Sequence, residues 1–378
     1  MTVALAAPPV STSRFQLRCA GRADEAELRA LLRRSLIPGD ISVTFEREPD
    51  FFDACVIHGD TQVGIGCDAE TGRIVGMGTR SIAAAFVNGM RHDVGYLADL
   101  RLEPRHRNGT LVARGYRLLR QMHADRRVDM YTTVIFASNQ LALGTIASGR
   151  AGLPRYDDMG VVHCPGINVR GRKPPIAAGC EFRRGSAAML DEIVDCLNRH
   201  NARRQFAPVH SVADFGPGGR WKDFAPSDFH VAVRNKRVVG VAGVWDQRRF
   251  KQTRIVSYAP HLGAAVPFVN ALRRLTGGPR YARAGEYLRY AFLSFVAVDD
   301  DDESVCRALV RAAYNDQVGR DRVYLLMAVH ERDPQLRLLR DYSITPFQAR
   351  LFCVSFEDGA AAVAALDSRV PHVEAALL

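Results

Sequence analysis

The sequence lacks several features that would place it in a simple functional class. Its eight cysteines form no Cys-x-x-Cys pair, and its eleven histidines show no His-x-x-x-His or His-Glu-x-x-His spacing. Without such spacings nothing indicates a zinc site, and scattered cysteines do not indicate a disulfide framework. We therefore predict that the protein holds no metal and that its cysteines are buried, reduced thiols.

Long apolar runs and lysines are also scarce. No apolar stretch approaches the roughly 20 residues that a membrane-spanning helix needs, and residues 1–13 have no basic segment ahead of apolar residues. These observations favour a cytoplasmic protein without a membrane partner and with a disordered stretch at 1–13. Only four of the 51 basic residues are lysines, and the net charge of +10 favours an anionic partner. No basic tail or zinc finger is present, so nucleic acid is not the expected partner.

Residues 94–123 predict a strand, a basic turn and a helix. The run Val94–Leu102 is typical of a buried strand, the apolar spacing of 111–122 indicates an amphipathic helix, and Thr110 suits its N-cap. An Arg-rich turn at a helix N-terminus predicts a cradle for a phosphate, as in a nucleotide-bearing cofactor. Alternation along the strand is expected to separate two sets of side chains: Tyr96, Ala98, Leu100 and Leu102 on one face, and Leu97, Asp99 and Arg101 on the other.

The order of predicted elements occurs twice along the chain. Periodicity predicts strands at 15–19, 54–58, 62–68, 73–82, 94–102, 130–137, 181–183, 229–234, 237–245, 291–298 and 323–329, and helices at 24–35, 110–123, 139–148, 187–200, 266–275, 303–314 and 334–339. Three short matches relate the halves: 73–76 to 237–240, 96–97 to 292–293, and 131–137 to 324–329. We therefore predict a first domain at 14–170, a linker at 171–179 and a second domain at 180–378, with an insertion of unassigned role at 248–286.

The two predicted halves differ in charge at the turn after the strand. The first half has Arg105, His106 and Arg107 there, whereas the second has the acidic run 299–303. Because carboxylates repel a phosphate group, only the first half is expected to hold an anionic cofactor. The acidic run also fits a solvated helix cap, which is compatible with that expectation.

Residues 100–109 (Leu-Arg-Leu-Glu-Pro-Arg-His-Arg-Asn-Gly) resemble a motif of the GNAT N-acyltransferase superfamily, in which a strand ends in Val-x-Pro and an arginine follows three residues later. Asn139, with Ala142 three residues on, is similar to the start of that family's next helix. The resemblance implies an α/β (α+β) fold of two tandem GNAT-like domains. Each would contain a mixed, mostly antiparallel sheet flanked by helices.

The resemblance also implies a cofactor and its binding residues. An acyl-CoA, acetyl-CoA or another, would lie beside the strand and against the turn. The expected binding residues are Leu100, Arg101, Leu102, Arg105, Arg107, Asn108, Gly109, Thr110, Leu111, Val112 and Asn139. The second domain would be degenerate in cofactor binding, and the reaction would acylate a primary amine of a small molecule or peptide.

Candidate catalytic residues follow from what amine acylation needs. Asp99 is the first candidate for the base that deprotonates the amine, although an ion pair with Arg101 explains it equally well, and Glu48 is the second. Many relatives have a tyrosine where this chain has Ile146, so Tyr156 is the candidate acid for the leaving thiolate. Three residues, Arg47, Phe51 and Phe52, would shape the amine pocket, unless the phenylalanines form a helix core.

Two other functions remain open at this stage. One is a catalytically silent, CoA-binding regulatory protein with the same architecture. The other is a long-chain N-acyltransferase that uses acyl-CoA or an acidic acyl carrier protein docked on the basic surface. The insertion at 248–286 would cover the cleft or form a homodimer contact.

Overall fold

The computed structural model describes residues 14–106, 110–146, 153–275 and 280–378. The elements of the first half are β1 (Phe15–Cys19), α1 (Glu25–Arg34), β2 (Ile41–Glu46), α2 (Phe51–Cys55), β3 (Asp60–Asp68), β4 (Ile74–Val87), β5 (Met90–Leu102), α3 (Leu111–His123), β6 (Tyr131–Phe136), α4 (Gln140–Ile146), β7 (Arg155–His163) and β8 (Gly166–Asn168). Those of the second half are β9 (Glu181–Arg184), α5 (Leu190–Asn201), β10 (Arg204–Gln205), β11 (Phe229–Arg234), β12 (Arg237–Trp245), β13 (Gln252–Tyr258), α6 (Pro260–Leu275), β14 (Tyr290–Val298), α7 (Glu303–Gln317), β15 (Tyr324–Leu326), β16 (Val329–His330), β17 (Ile344–Thr345), β18 (Gln348–Ser355), α8 (Ala360–Ala364) and β19 (Val370–Pro371).

Two large mixed sheets, each flanked by helices, organise these elements. The first has the strand order β1-β3-β4-β5-β6-β18-β7-β16, and the second has the order β17-β8-β15-β14-β12-β11-β9. Most neighbours are antiparallel, and the parallel pairs are β5 with β6 and β14 with β15. Each parallel pair is connected through a helix, α3 or α7, as a parallel crossover requires. The predicted fold class is confirmed.

The sheets exchange strands between the two halves of the chain. Strand β18, from the second half, lies between β6 and β7 and pairs antiparallel with both. In return, β8 of the first half lies between β15 and β17 in the second sheet. Each sheet is therefore a composite of both halves, and the segment predicted as a linker at 171–179 connects two units that share strands. The predicted domain boundaries, at 14–170 and 180–378, therefore divide the chain but not the sheets, and they stay a prediction.

Strand register relates the two sheets. In the first sheet Gly76 of β4 pairs with Leu102 of β5, and in the second Gly240 of β12 pairs with Val298 of β14. These glycines end the short sequence match between 73–76 and 237–240. In both sheets, therefore, the glycine that ends the match pairs with the equivalent residue of the neighbouring strand.

Both sheets also contain a β-bulge at the corresponding position. In β5 the register shifts opposite Gly78, and Asp99 adopts the left-handed conformation with φ of 52°. In β14 the register shifts opposite Ala242, and Phe295 adopts φ of 55°. A bulge places an extra residue in one strand and reverses the alternation of the side chains beyond it.

The predicted distribution of side chains along the first bulged strand is wrong for this reason. Leu97 packs with residues of α3 and α4, and Leu100 and Leu102 reach the glycines of β4 beneath α3. Tyr96 and Asp99 instead share the opposite face. Strict alternation had placed Tyr96 with Leu100 and Leu102, and Asp99 with Leu97.

Three further elements differ from the expectation. Residues 54–58, predicted as a strand, continue α2 and then form a 3-10 turn. The ribbon of β2 and β13 and the inserted strand β18 were not predicted, because their pairing partners lie about 200 residues away in sequence. The helix predicted at 266–275 begins earlier, at Pro260.

Glycines let α3 approach the first sheet closely. A Cβ atom at Gly66 would lie 3.1 Å from Leu111, and one at Gly64 would lie 3.2 Å from Leu118. Such contacts are tight, so the absence of side chains at these positions brings α3 and its N-terminus against the sheet.

We expect that neither half folds without the other. Residues 14–170 produced alone leave the facing edges of β6 and β7 unpaired, because β18 is missing. Denaturant unfolding followed by circular dichroism should show no cooperative transition for this fragment. Co-expression with residues 171–378 should restore one, and a cooperative transition for the isolated fragment would contradict the exchange.

Candidate active site

Strands β5 and β6 separate after a short parallel contact. They pair only at Gly95 with Tyr131 and at Tyr96 with Thr132, although β5 continues to Leu102. The last link between them is the Thr133 hydroxyl, which donates to the Leu97 carbonyl at 2.8 Å. The cleft beyond this point has the main chain of β5 as one wall. An extended ligand could form main-chain hydrogen bonds there as an added strand.

A buried ion pair lies at the bulge of β5, beside this cleft. Arg47, 6% exposed, donates through Nη2 to the Asp99 carboxylate, and Arg101 Nη2 lies 3.9 Å from the same carboxylate. Burial by itself would raise the pKa of Asp99, but the charges of both arginines outweigh it and hold that pKa well below its usual range. Both arginines therefore favour the ionised form of Asp99.

Two further buried groups surround this ion pair. The His58 ring stacks on Tyr96 with centroids 5.8 Å apart, and burial, followed by the charge of Arg47, lowers its pKa well below the usual value. Lys251 is buried as well, and burial and the charge of Arg47 lower its pKa to about 7. Its Nζ donates to the main-chain oxygens of Ala376 and Leu378.

Sequence reasoning did not single out His58 or Lys251. His58 was hidden inside a segment predicted as a strand. Lys251 did carry a signal, because a lysine is rare in a chain that uses arginine almost everywhere else. We name Arg47, His58, Tyr96, Asp99, Arg101 and Lys251 the polar cluster.

The structure places the predicted catalytic residues in three environments. Asp99 lies in the polar cluster, paired with arginine. Glu48 pairs with Arg29 and Arg33 of α1, on the outer side of the turn that carries Arg47. Tyr156 lies on the α3 side of the first sheet, and its hydroxyl is 2.7 Å from that of Tyr116. These three residues are not brought together, and their catalytic roles stay predictions.

The predicted cofactor residues follow β5 into α3. Arg105 pairs with Glu103 at 2.9 Å, Thr110 makes no side-chain capping bond at the start of α3, and the side chain of Leu111 packs on the sheet. Asn139 Oδ1 accepts from the main-chain N–H of Ala142 at 3.2 Å and caps α4. The predicted residues Arg107, Asn108 and Gly109 lie outside the described residues. Cofactor binding by this set stays a prediction.

The predicted substrate residues divide between the cluster and the core. Arg47 belongs to the polar cluster, and its guanidinium lies 5.7 Å from the ring centroid of Phe51. Phe51 is fully buried against α1, as the core interpretation anticipated. Phe52 lies further out, under the guanidinium of Arg22. Of the three, only Arg47 has polar atoms at the cleft.

The corresponding positions in the second sheet are filled by the chain itself. Strand β14 pairs with β15 only from Tyr290 to Phe292, so a similar cleft opens beyond. Residues 372–377 lie against β14, and the N–H of Phe295 at its bulge donates to Glu374 Oε2 at 3.1 Å. Asp302 accepts from the N–H of Ser304 and caps α7.

These contacts distinguish the two clefts. In the second sheet, the Glu374 carboxylate accepts from the N–H at the bulge, and the Asp302 carboxylate caps the N-terminus of α7. Among the described residues, no side-chain carboxylate accepts from the N–H of Asp99 at the first bulge, and none caps α3. The first cleft is therefore the candidate ligand site.

The described part of the chain shows neither a candidate metal site nor a helix suited to span a membrane. No group of three or more His, Cys, Asp or Glu side chains is arranged there to hold a metal ion. No helix there combines the length and apolar character needed to cross a membrane.

Comparison with known proteins identifies the fold. No family model and no curated protein matches the chain. Among solved structures it is similar to the glucosamine N-acetyltransferase region of a fungal multi-domain GH3 β-N-acetylglucosaminidase, with a TM-score of 0.60 and 13% identity over 91% of the chain. The match spans only 38% of that longer protein.

Two other solved structures match over most of both chains. A GCN5-related N-acetyltransferase from Sphaerobacter thermophilus has a TM-score of 0.54 and 12% identity, covering 90% of this chain and 95% of its own. The N-myristoyltransferase of Saccharomyces cerevisiae, with myristoyl-CoA and inhibitors bound, has a TM-score of 0.59 and 9% identity, covering 93% and 82%. The chain therefore has a GNAT-like fold, that of N-acyltransferases, which confirms the resemblance at the level of fold.

The ion pair predicts a specific stability effect. Asp99→Asn keeps a side chain that tolerates positive φ, but it leaves Arg47 charged and buried without its partner, so we expect a loss of about 3–5 kcal/mol. Urea denaturation measures it. The double variant Arg47→Gln/Asp99→Asn should recover most of the loss, and Asp93→Asn, on the exposed part of β5, should change stability by less than about 0.5 kcal/mol.

The same pair sets a pH dependence. Because the folded pKa of Asp99 is depressed, its stabilising contribution is present above about pH 4 and is lost as the pH falls further. The difference between wild type and Asp99→Asn should therefore shrink on acidification. Equal stability of the two proteins at pH 7 would contradict a buried, uncompensated Arg47.

Proposed function

We propose that the protein is an N-acyltransferase that moves an acyl group from acyl-CoA to a primary amine. The acyl-CoA would lie between β5 and β6, with its phosphates at the start of α3. The single observation that carries this proposal is the contrast between the clefts: the first is open beside a buried polar cluster, and the second is filled by residues 372–377. The GNAT-like fold supports the same reaction class.

The proposed reaction forms one bond and breaks one. The amine nitrogen attacks the thioester carbonyl, the C–N bond forms, and the C–S bond breaks to release the thiolate of CoA. One proton leaves the amine and one joins the thiolate. Main-chain N–H groups of the bulged strand would stabilise the oxyanion between these steps.

Amine deprotonation is the demanding step, because an alkyl amine has a pKa near about 10.4 in water. Asp99 is a poor base, since Arg47 and Arg101 hold its pKa far below that of an amine. It is better suited to hold the incoming ammonium or a bridging water in place, and the proton then leaves through that water. Glu48, paired with two arginines, is a second and more remote acceptor.

Tyr156 is suited to donate a hydrogen bond to the leaving thiolate. It lies on the α3 side of the sheet, where the cofactor would enter, and burial together with Tyr116 raises its pKa far above the usual value. A hydroxyl that stays protonated stabilises the thiolate by a hydrogen bond as that charge develops, and the proton that then joins the sulfur comes from the amine through water.

A CoA-binding protein without turnover is the second candidate. It is favoured by one observation, which is that both candidate bases, Asp99 and Glu48, are paired with arginine. CoA binding without thiol release across a broad panel of amines would favour it. The acyl length remains a separate question, which native mass spectrometry of the co-purified ligand would answer by mass.

The proposed function predicts that CoA stabilises the protein. A ligand at 100 times its Kd adds about 2.7 kcal/mol to the stability of the folded state, which thermal unfolding detects as a rise in Tm. Arg105→Glu/Arg107→Glu should remove most of that rise by placing negative charge beside the phosphates. Arg170→Glu/Arg172→Glu, an equal change of charge on two exposed arginines elsewhere, should keep it. No rise at millimolar CoA would refute the assignment.

The role of Tyr156 predicts a kinetic effect. Tyr156→Phe should lower kcat by about 100-fold with little change in KM for the acyl-CoA, as expected for the loss of a hydrogen bond to the developing thiolate. Tyr116→Phe removes the neighbouring hydroxyl only and should have a smaller effect. Steady-state thiol release measures both. Full activity of Tyr156→Phe would show that this hydroxyl does not stabilise the leaving thiolate.

A further inference from the structure

The ribbon of β2 and β13 brings two cations together at the cleft. Glu46, the last residue of β2, pairs with Gln252, the first of β13, and the residues just beyond this end of the ribbon are Arg47 and Lys251. The side chain of Gln252 fixes this arrangement, because it accepts from the N–H of Glu48 at 3.0 Å and donates to the Glu48 carbonyl at 2.9 Å. Two buried cations that repel each other are destabilising, so their burial here needs an explanation.

One carboxylate is shared by three cations. Arg47, Arg101 and Lys251 all interact electrostatically with Asp99. Lys251 Nζ also donates to the oxygens of Ala376 and Leu378, yet burial and the charge of Arg47 depress its pKa. A second anion in the cluster would relieve this excess.

Unused hydrogen-bonding atoms point to the same conclusion. Arg47 Nη1 is buried and has no hydrogen-bond partner among the described residues, although Nη2 of the same guanidinium pairs with Asp99. Both ring nitrogens of His58 are buried and equally unpartnered there. Buried polar atoms are nearly always satisfied, so such a group suggests a site completed by a ligand.

The position of the cluster separates it from the place proposed for the phosphates of the cofactor. The bulge turns Asp99 to the face opposite α3, whereas Leu100 and Leu102 face α3 and the turn before it. A cofactor whose phosphates lie at the α3 N-terminus would reach this face only with its acyl end. We therefore assign an anion bound at the cluster to the other substrate.

We propose that the cationic part of the cluster, Arg47 and Lys251 with Arg101, binds a carboxylate of the acceptor, so that the acceptors are amino acids or similar amines that carry a carboxylate. This inference rests on the proposed acyl transfer and names its substrate class. The carboxylate takes the unused N–H of Arg47, and the ammonium lies towards Asp99. In an α-amino acid, a single carbon joins the ammonium to the carboxylate. This short spacing matches the binding groups proposed for them, because Asp99 and Arg47 are direct neighbours.

The test compares each acceptor with its amide. The probes are glycine, leucine and phenylalanine, each paired with its carboxamide, which keeps the amine and removes only the negative charge. Binding to the CoA-loaded protein is measured by calorimetry, and transfer from acetyl-CoA by thiol release. We expect at least one acid to exceed its amide about tenfold or more in affinity and in kcat/KM.

Variants assign that preference to the cluster. Lys251→Met and Arg101→Gln should reduce the ratio of acid to amide towards one, and Lys251→Arg should retain a preference because it keeps the charge. Lys236→Met, on the turn between β11 and β12, is the matched control and should leave the ratio unchanged. Arg47→Gln is the less informative variant, since it also breaks the buried pair with Asp99.

The experiment separates failure of the carboxylate site from failure of the proposed acyl transfer. If no acid exceeds its amide by either readout, or if the preference survives both Lys251→Met and Arg101→Gln, the carboxylate site is refuted. If CoA itself fails to bind, the proposed acyl transfer fails, whatever the amines do. Lysine 15Nζ spectra provide an independent check with only four lysines to resolve: an acid probe should raise the pKa of Lys251, and its amide should not.

Discussion

One extra residue in β5, opposite Gly78, turns Asp99 to the side of the sheet that carries Arg47. The bulge creates the polar cluster, because it brings Tyr96, Asp99 and Arg101 to one face and leaves Leu100 and Leu102 on the other. It lies just beyond the point where β5 and β6 separate. Cleft and cluster therefore have a common origin in the backbone, and the two faces of β5 are divided between the proposed cofactor and the proposed acceptor.

The second sheet has the same bulge, but the chain itself occupies the space beside it. Phe295 replaces the charged residue there and packs among Trp221, Trp245 and Phe224, while Glu374 takes its N–H. A strand geometry that can bind a ligand has thus become part of the core between the sheets. Strand exchange joins the same two sheets. The pairing of β2 with β13 also brings Lys251, from the second half of the chain, near Arg47 and Asp99 beside the first cleft.

Local elements were predictable from the sequence, and non-local ones were not. The spacing of apolar residues correctly predicted β5 and α3, and short matches between the halves predicted which glycines would occupy equivalent positions. The bulge at Asp99 depends on pairing with β4, so strict alternation gave the wrong faces. The insertion of β18 and the electrostatic interaction of Arg47 with Lys251 depend on partners about 200 residues apart, which no local pattern specifies. The cluster was therefore seen only in part, through Arg47, Asp99 and Arg101.

The central claim is that the cleft between β5 and β6, and not the one between β14 and β15, binds the acyl donor. A crystal structure of the protein with a non-hydrolysable acyl-CoA analogue tests it most directly. The account predicts the pantetheine between β5 and β6, the phosphates at the start of α3, and residues 372–377 still in place against β14. A nucleotide bound between β14 and β15 with that segment displaced, or bound at neither cleft, would contradict it.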